Sequence, residues 1–370
     1  MSQRRAEAII DTDALASNIS LLKGVAGTEL LAVVKADAYG HGLVHTAEAA
    51  IKAGASWLGV ALLEEAITLR KHGVGAPILA WLVPPGSDFE SALTHEIDLG
   101  VASIASLNEV TAASKKTGIK ARIHIEVDTG MTRGGFLDEW SELLASDLSS
   151  VEVVGFFSHF ARADEPGEDQ NTKQLEKFLL LRKELETKGI RVGISHLSNS
   201  AATLVHHEAA FNLVRTGIAM YGLHPDATTL RNESLKPVMQ LRAKLHLVKK
   251  VPAGSPVGYG ASAITKNETK LGIVAMGYAD GIPRNAQGAG VFINGRRAPI
   301  IGRVSMDQFV VDLGADSTAQ SGDWVIVFGS GVKGEYQADD WAAASGTINY
   351  EIVTRIGPRV PRIYGTHVYN

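Results

Sequence analysis

The chain has 370 residues and no cysteine, which excludes disulfides, thiolate metal sites and a thiol nucleophile together. A formal net charge of −4 with no basic block excludes a nucleic-acid footprint and a polybasic membrane patch, so small anionic ligands must be met by local groups. No apolar run approaches the roughly 18 residues needed to cross a bilayer, and the N-terminal MSQRRAEAIID lacks an apolar leader core, so a cytoplasmic protein is expected, with no membrane partner. The NxS and NxT triplets at Asn18, Asn232 and Asn267 are then chance matches.

In chain order, the first clear strand is Leu30 to Lys35, an apolar run that stops at a lysine followed by Asp, Tyr, Gly and His. A buried strand thereby delivers one amine to its carboxyl end. Most lysines are solvated, but an ammonium flanked by apolar residues is partly desolvated, which frees some of the neutral amine that Schiff-base chemistry with an aldehyde requires. Further strands are expected at Trp57 to Ala61, Pro77 to Leu82, Leu99 to Ser103, Ala121 to Thr129, Val151 to His159, Val192 to Ser198 and Phe211 to Thr216. Helical patterns such as Glu64 to His72, Leu107 to Lys116, Thr172 to Lys188 and Ala201 to His207 lie between them. Eight such units fit an α/β fold of the (β/α)8 TIM-type barrel class; a doubly wound open sheet is the rival that periodicity alone leaves open. After His224 the texture changes to proline, glycine turns and strand-like runs such as LRAKLHLVKKV and DWVIVFG. This predicts a mainly antiparallel β-strand C-terminal domain, dividing the chain at residues 1–232 and 233–370. One helix is expected to interrupt it, from Asp339 to about Ser345, capped by Asp339 or Asp340 and leading into INYEIV.

Chemistry in such a barrel gathers where the strands end. Lys35 and Tyr39 follow strand one, Arg133 follows strand five, His159 ends strand six, Asn199 and Ser200 follow strand seven, and Arg215 closes strand eight. Each alone has a plain explanation: a solvated loop, a core histidine, a helix N-cap, a surface ion pair. Ser200 with Gly217 and Ile218 suggests phosphate binding, through a hydroxyl and backbone amides. No Walker loop or GxGxxG is present, so a nucleotide is not indicated. A phosphate handle together with an amine points to pyridoxal 5′-phosphate, with Lys35 as its Schiff-base lysine. A metal on His206, His207 and Glu208 is not expected, because adjacent histidines on a helix diverge.

The motifs VVKADAYGHG, VDTGMTRGG, SHF with ADE, SNSAA, NLVRTGIAMYG, VGYG, GYADGIPR, GRVSMDQ and INYE follow one another in this order, and with them the chain closely resembles bacterial alanine racemase over essentially its whole length. The resemblance implies a two-base interconversion of L- and D-alanine in a homodimer with shared active sites. Lys35 is one base and Tyr259 of VGYG, from the second subunit, is the other. It also implies that Arg215 meets the pyridine nitrogen of the cofactor, that His159 orients this arginine, and that Tyr39, Ser200, Gly217, Ile218 and Tyr350 hold the phosphate. Arg133 and the backbone of Met306 match the groups that hold the substrate carboxylate. Asp164, Tyr278, Arg284 and Arg303 match the entrance corridor, and Asp307 lies beside Met306.

Two departures stand out. Many family members carry a carbamylated lysine seven residues before the arginine aligned with Arg133; here that position is Glu126, expected to be the direct negative partner of Arg133. Ser305 stands where a cysteine is common. Alternatives on the same plan are a broad-specificity racemase, a pyridoxal phosphate decarboxylase, which Arg215 and the absence of cysteine disfavour, and a non-catalytic pyridoxal phosphate-binding regulator, which VGYG and GRVSMD disfavour.

Overall fold

In the computed structural model of the chain, residues 4–226 and 234–365 are described. The boundary expected at 232/233 and the triplet at Asn232 lie outside them. Two compact units form: one from Leu15–Ala38 and the chain from Leu43 to Leu235, the other from the N-terminal segment up to Ala14, Tyr39–Gly42 and the chain from Lys236 onward. Ten strands carry the argument: β1 (Ala6–Asp11), β2 (Glu29–Val33), β3 (Trp57–Val60), β4 (Ile78–Ala80), β5 (Asp98–Val101), β6 (Ala121–Glu126), β7 (Val151–Phe157), β8 (Ile194–His196), β9 (Leu213–Thr216) and β10 (Met239–Val251).

In the first unit, β2 to β9 form one parallel eight-stranded sheet in the order β8-β7-β6-β5-β4-β3-β2-β9. The amides of Asn212 and Arg215 donate to the carbonyls of Ser195 and Ser198 at 3.3 and 2.9 Å, which joins the two ends of that order and closes the ring. A doubly wound sheet would keep two open edges here. Strands of this kind are apolar throughout because helices cover one face and the barrel core the other. Leu30, Leu31, Ala32 and Val34 are fully buried, and each Leu so placed contributes about 1.5–3 kcal/mol. Helix ends follow local chemistry: Asp88 accepts from the Ser91 amide at 2.9 Å ahead of Phe89–Thr94, and Gly118, at φ 71°, ends Ile104–Thr117.

Seven of the eight barrel strands stop one to three residues short of the expected ends, among them β2 at Val33, β6 at Glu126 and β7 at Phe157; only β9 reaches its expected end. The residues beyond them turn into loops. Asp128 Oδ1 accepts from the amides of Gly130, Met131 and Thr132, bending the chain where an extended run was expected. After Lys35 the departure is larger: Ala36, Asp37, Ala38 and Tyr39 all have φ between 53° and 55°. A left-handed non-glycine residue costs about 1 kcal/mol or more, so four in a row require restraint from their surroundings.

In the second unit, β1 pairs antiparallel with β10, Ala6 opposite Ala243, and parallel with Arg362–Gly365, Ala8 opposite Arg362. Its sequence partners lie more than half the chain away, which is why the sequence assigns this segment to the barrel domain. β10 also pairs with Thr269–Val274 and Trp324–Phe328. Among the described residues two α-helices, not one, interrupt the strands after Lys236: Ala338–Ser345 and Asn349–Thr354, the latter made from the INYEIV run. Asp340 is the third residue of its helix rather than the cap, and accepts from the Gln337 amide at 2.8 Å. Among the described residues no helix is long and apolar enough to cross a membrane.

Candidate active site

The carboxyl ends of the barrel strands gather Lys35, Glu126, His159, Asn199, Ser200 and Arg215. Lys35 leaves β2 half-buried, its Nζ 5.9 Å from the centre of the Trp81 ring. Burial and the nearby Arg133 lower its pKa, against the opposing charge of Glu65. The amine is therefore easier to deprotonate than a surface lysine.

Arg215, in β9, is buried, and four of its five N–H bonds are committed. Nη1 donates to the His196 carbonyl at 2.6 Å and to His196 Nδ1 at 3.0 Å. Nη2 donates to the Ser158 carbonyl at 2.7 Å, with His159 Nδ1 and the Leu197 carbonyl both at 3.2 Å. Only the Nε–H has no partner among the described residues. Burial lowers the guanidinium to about 10, so it stays a cation at neutral pH.

The donors on Arg215 also order the barrel interior. His196 accepts at Nδ1, so its Nε2 carries the proton that faces His124 Nδ1 at 2.8 Å, and His124 Nε2 faces Asp98 Oδ2 at 3.3 Å. Arg122 grips Asp98 bidentately at 2.8 and 3.1 Å. Burial pushes the Asp98 carboxyl up, but hydrogen bonds from His124 and Arg122 outweigh it and hold it below its ordinary value. His196 is held well below the ordinary histidine range by burial and then by Arg215, and His159 by burial, Arg215, Arg133 and Lys35 in that order. Both imidazoles are neutral acceptors for the arginine. Asp98, His124 and His196 are not among the residues expected from sequence; their signal is a polar residue in a short buried strand, at the start of DLGV, inside ARIHIE and at the end of ISH.

Asn199, not Ser200, caps the helix Ser200–Val205, accepting from the Ala202 amide at 3.0 Å. Ser200 is buried instead against the next loop: its Oγ accepts from the amides of Gly217 at 2.9 Å and Ala219 at 3.3 Å, which leaves the hydroxyl proton to be donated elsewhere. Ile218 opens the short turn Ile218–Tyr221, where a first amide has no partner within the turn.

The direct Glu126–Arg133 pair expected from sequence is not formed. Arg133 is exposed on its loop with no hydrogen bond or ion pair among the described residues, while Glu126 ends β6 half-buried against the backbone of Gly134. Burial raises the Glu126 carboxyl, and Arg215 followed by Arg133 pulls it back only in part, so its charge acts at longer range and on Arg215 first.

In the second unit, Tyr259 sits on a turn between two glycines at φ 74° and 73°, and is 69% exposed. The turn passes close over Arg303: a Cβ on Gly258 would lie 3.2 Å from the Arg303 amide nitrogen, and one on Gly260 3.6 Å from its Nη1. Met306 is 53% exposed. Its carbonyl accepts from the Ala279 amide at 2.9 Å and the Ser305 carbonyl accepts from the Tyr278 amide at 3.1 Å, while the Met306 N–H has no partner among the described residues. Arg359 donates to Asp307 at 2.7 Å and pairs with the buried Asp280 at 3.2 Å, fixing this loop from below. Tyr278 and Arg284 stand exposed, and Asp164, in the first unit, is half-buried. The rings of Tyr39 and Tyr350 lie 6.2 Å apart at 45°, and burial raises the Tyr39 phenol.

The alanine racemase N-terminal domain model matches residues 10–225 and the C-terminal domain model residues 238–364. The alanine racemase of Beutenbergia cavernae is 49% identical over 368 residues, covering 97% of each chain. The chain belongs to the alanine racemase family. The crystal structure of the alanine racemase from the D-cycloserine-producing Streptomyces lavendulae is 46% identical, with a TM-score of 0.96 over 100% of this chain and 99% of that one. That of Bartonella henselae, with covalently bound pyridoxal phosphate, is 31% identical, with a TM-score of 0.89 over 98% and 99% of the two chains. The barrel and the β-rich unit are those of an alanine racemase, and the family activity is amino-acid racemisation.

Proposed function

We propose that this member of the alanine racemase family interconverts L- and D-alanine with pyridoxal 5′-phosphate held in the barrel mouth, using Lys35 and the Tyr259 of a second copy of the chain as bases on opposite faces of the substrate. The donor set suits that cofactor. Lys35 offers a partly desolvated amine, Ser200 an uncommitted hydroxyl proton, Gly217 and Ile218 backbone at the start of a turn, and Tyr39 and Tyr350 phenols for its phosphate. The single observation that carries the reading is Arg215: a buried cation whose fork is fully committed to neutral acceptors, with one N–H left to donate.

Bound there, the cofactor supplies withdrawal of electrons from the substrate α-carbon, which acidifies its proton. The chain's own residues do the rest. Arg215 Nε would hold the ring nitrogen of that group and, as a guanidinium, would keep its proton, which would restrain the electron demand and limit transamination. Arg133, which has no partner among the described residues, grips the substrate carboxylate, helped by the Met306 N–H of the second copy, likewise without a partner among them. Lys35 Nζ moves the α-proton on one face and Tyr259 Oη on the other. A phenol has an ordinary pKa of about 10 and needs a cation beside it to serve near neutrality. Asp164, Tyr278, Arg284, Arg303 and Asp307 line the way in. The exposure of Tyr259 and Met306 supports a homodimer in which each chain completes the other's site, and the D-alanine formed serves as a peptidoglycan precursor.

The test is incubation of the purified protein and cofactor with L-alanine in deuterated water, following both enantiomers and α-deuteration. Appearance of D-alanine carrying deuterium is expected; no D-alanine, or racemisation without deuterium, overturns the two-base reading.

A further inference from the structure

Glu65 is the third residue of the helix Leu63–Lys71, and one oxygen does the expected work there: Oε2 accepts from the amides of Ala61 at 3.0 Å and Leu62 at 3.1 Å. The other oxygen reaches a different strand end. Oε1 accepts from the amide of Ala36 at 2.6 Å. Ala36 follows Lys35 directly and is the first of the four left-handed non-glycine residues. Such a run does not hold itself. At its far side Asp37 Oδ1 accepts from the Leu43 amide at 2.8 Å, so the turn is pinned by a carboxylate on each side. Around the amine itself stand the Trp81 ring, Arg133, the neutral His159 and Glu65, and of these Glu65 alone carries a negative charge.

We propose that Glu65 is a positioning residue for Lys35: its carboxylate holds the amide that follows the lysine and sets a negative charge against the lysine's amine. The second helix-capping oxygen alone would leave the reach across to Ala36 without purpose. An anion near an ammonium favours the charged form, so Glu65 offsets part of the effect of burial and of Arg133. The proposal rests on Lys35 as the cofactor-bearing base, and its test is arranged to fail separately from that assignment.

The experiment compares full-length wild type, Glu65→Gln, Glu65→Asp and, as a plain loss of a helix cap, Asp88→Ala. Each chain, freed of cofactor with hydroxylamine, is methylated with formaldehyde and cyanoborohydride across a pH series, and modification at Lys35 is quantified by mass spectrometry. Removing the charge in Glu65→Gln should move the pH midpoint for Lys35 downward, so that Lys35 is modified faster than in wild type at pH 7. Glu65→Asp keeps the charge but falls short of Ala36; its midpoint should stay near that of wild type, while kcat of the cofactor-loaded enzyme falls about tenfold or more with KM little changed. Asp88→Ala should lower Tm and move neither. An unmoved midpoint in Glu65→Gln overturns the electrostatic half, and wild-type kcat in Glu65→Asp overturns the positioning half. If Glu65→Gln does not fold, Glu65→Asp decides. Should Lys35 not be the base, Lys35→Ala retains turnover whatever the labelling shows.

Discussion

Lys35 stands half-buried at the end of a strand buried on both faces, with Trp81, Arg133, His159 and Glu65 around it, whereas Tyr259 rides an exposed two-glycine turn whose nearby group is Arg303. The two candidate bases thus differ in how much of their environment one chain provides. For the lysine, desolvation and charge are complete within the barrel. For the tyrosine, the turn fixes the backbone but leaves the phenol open, so its surroundings must come from another surface. The two-base site proposed above would resolve the contrast: the electrostatically tuned half would be prebuilt, and the other half would arrive with assembly of two copies.

The comparison breaks first at Lys35. Lys35→Ala should lower racemisation by about 10⁴-fold in a chiral assay of D-alanine; retained turnover would remove the barrel mouth from the reaction. Tyr259→Phe should cost about 10²–10³-fold and leave α-deuterium exchange with only one enantiomer. Mixing Lys35→Ala with Tyr259→Phe under conditions that exchange subunits sharpens the point, because only a mixed dimer contains one intact pair. Recovered activity is expected, and its absence at confirmed mixing rules out a shared site.

Smaller effects probe the buried network. Arg215→Glu should reduce racemisation by about tenfold to a thousandfold and raise pyruvate release from alanine, followed with lactate dehydrogenase. Unchanged pyruvate would contradict the restraint assigned to the arginine. Last, the lowered pKa values of His159 and His196 make stability depend on acid. An unfolded histidine takes a proton below about 6.5, which the folded ones refuse, so stability should fall as pH drops from about 6.5 toward their lowered folded values and should be indifferent to them above it. Calorimetry between pH 7.5 and 5 should show Tm declining by a few degrees, with a shallower decline in His196→Asn.

Much of the barrel was legible because its strands repeat a local pattern: an apolar run, then a polar group at the exit. That rule by itself points to Lys35, Arg133, His159, Ser200 and Arg215 as candidates, independently of the order of the motifs. The left-handed turn after Lys35 was not legible, since Ala-Asp-Ala-Tyr prefers ordinary conformations, and its restraints include groups outside it: the Glu65 carboxylate on the Ala36 amide and the Leu43 amide on Asp37. Nor was the absence of a Glu126–Arg133 contact, because alignment supplies a partner's identity but not the distance between two loops.

By itself the amino-acid order determined the alternation of strands and helices, the change of texture after His224, the amine at a strand end and the family, since each is written in neighbouring residues or in their succession. Only the tertiary structure decided that β1 joins β10 and Arg362–Gly365, that Asn199 rather than Ser200 is the cap, and that His196, at the end of an Asp98–His124–His196 chain, accepts from Arg215, whose Nε–H has no partner among the described residues. Those are contacts between segments far apart in the chain, set by strand register and burial, and a local pattern carries no record of either.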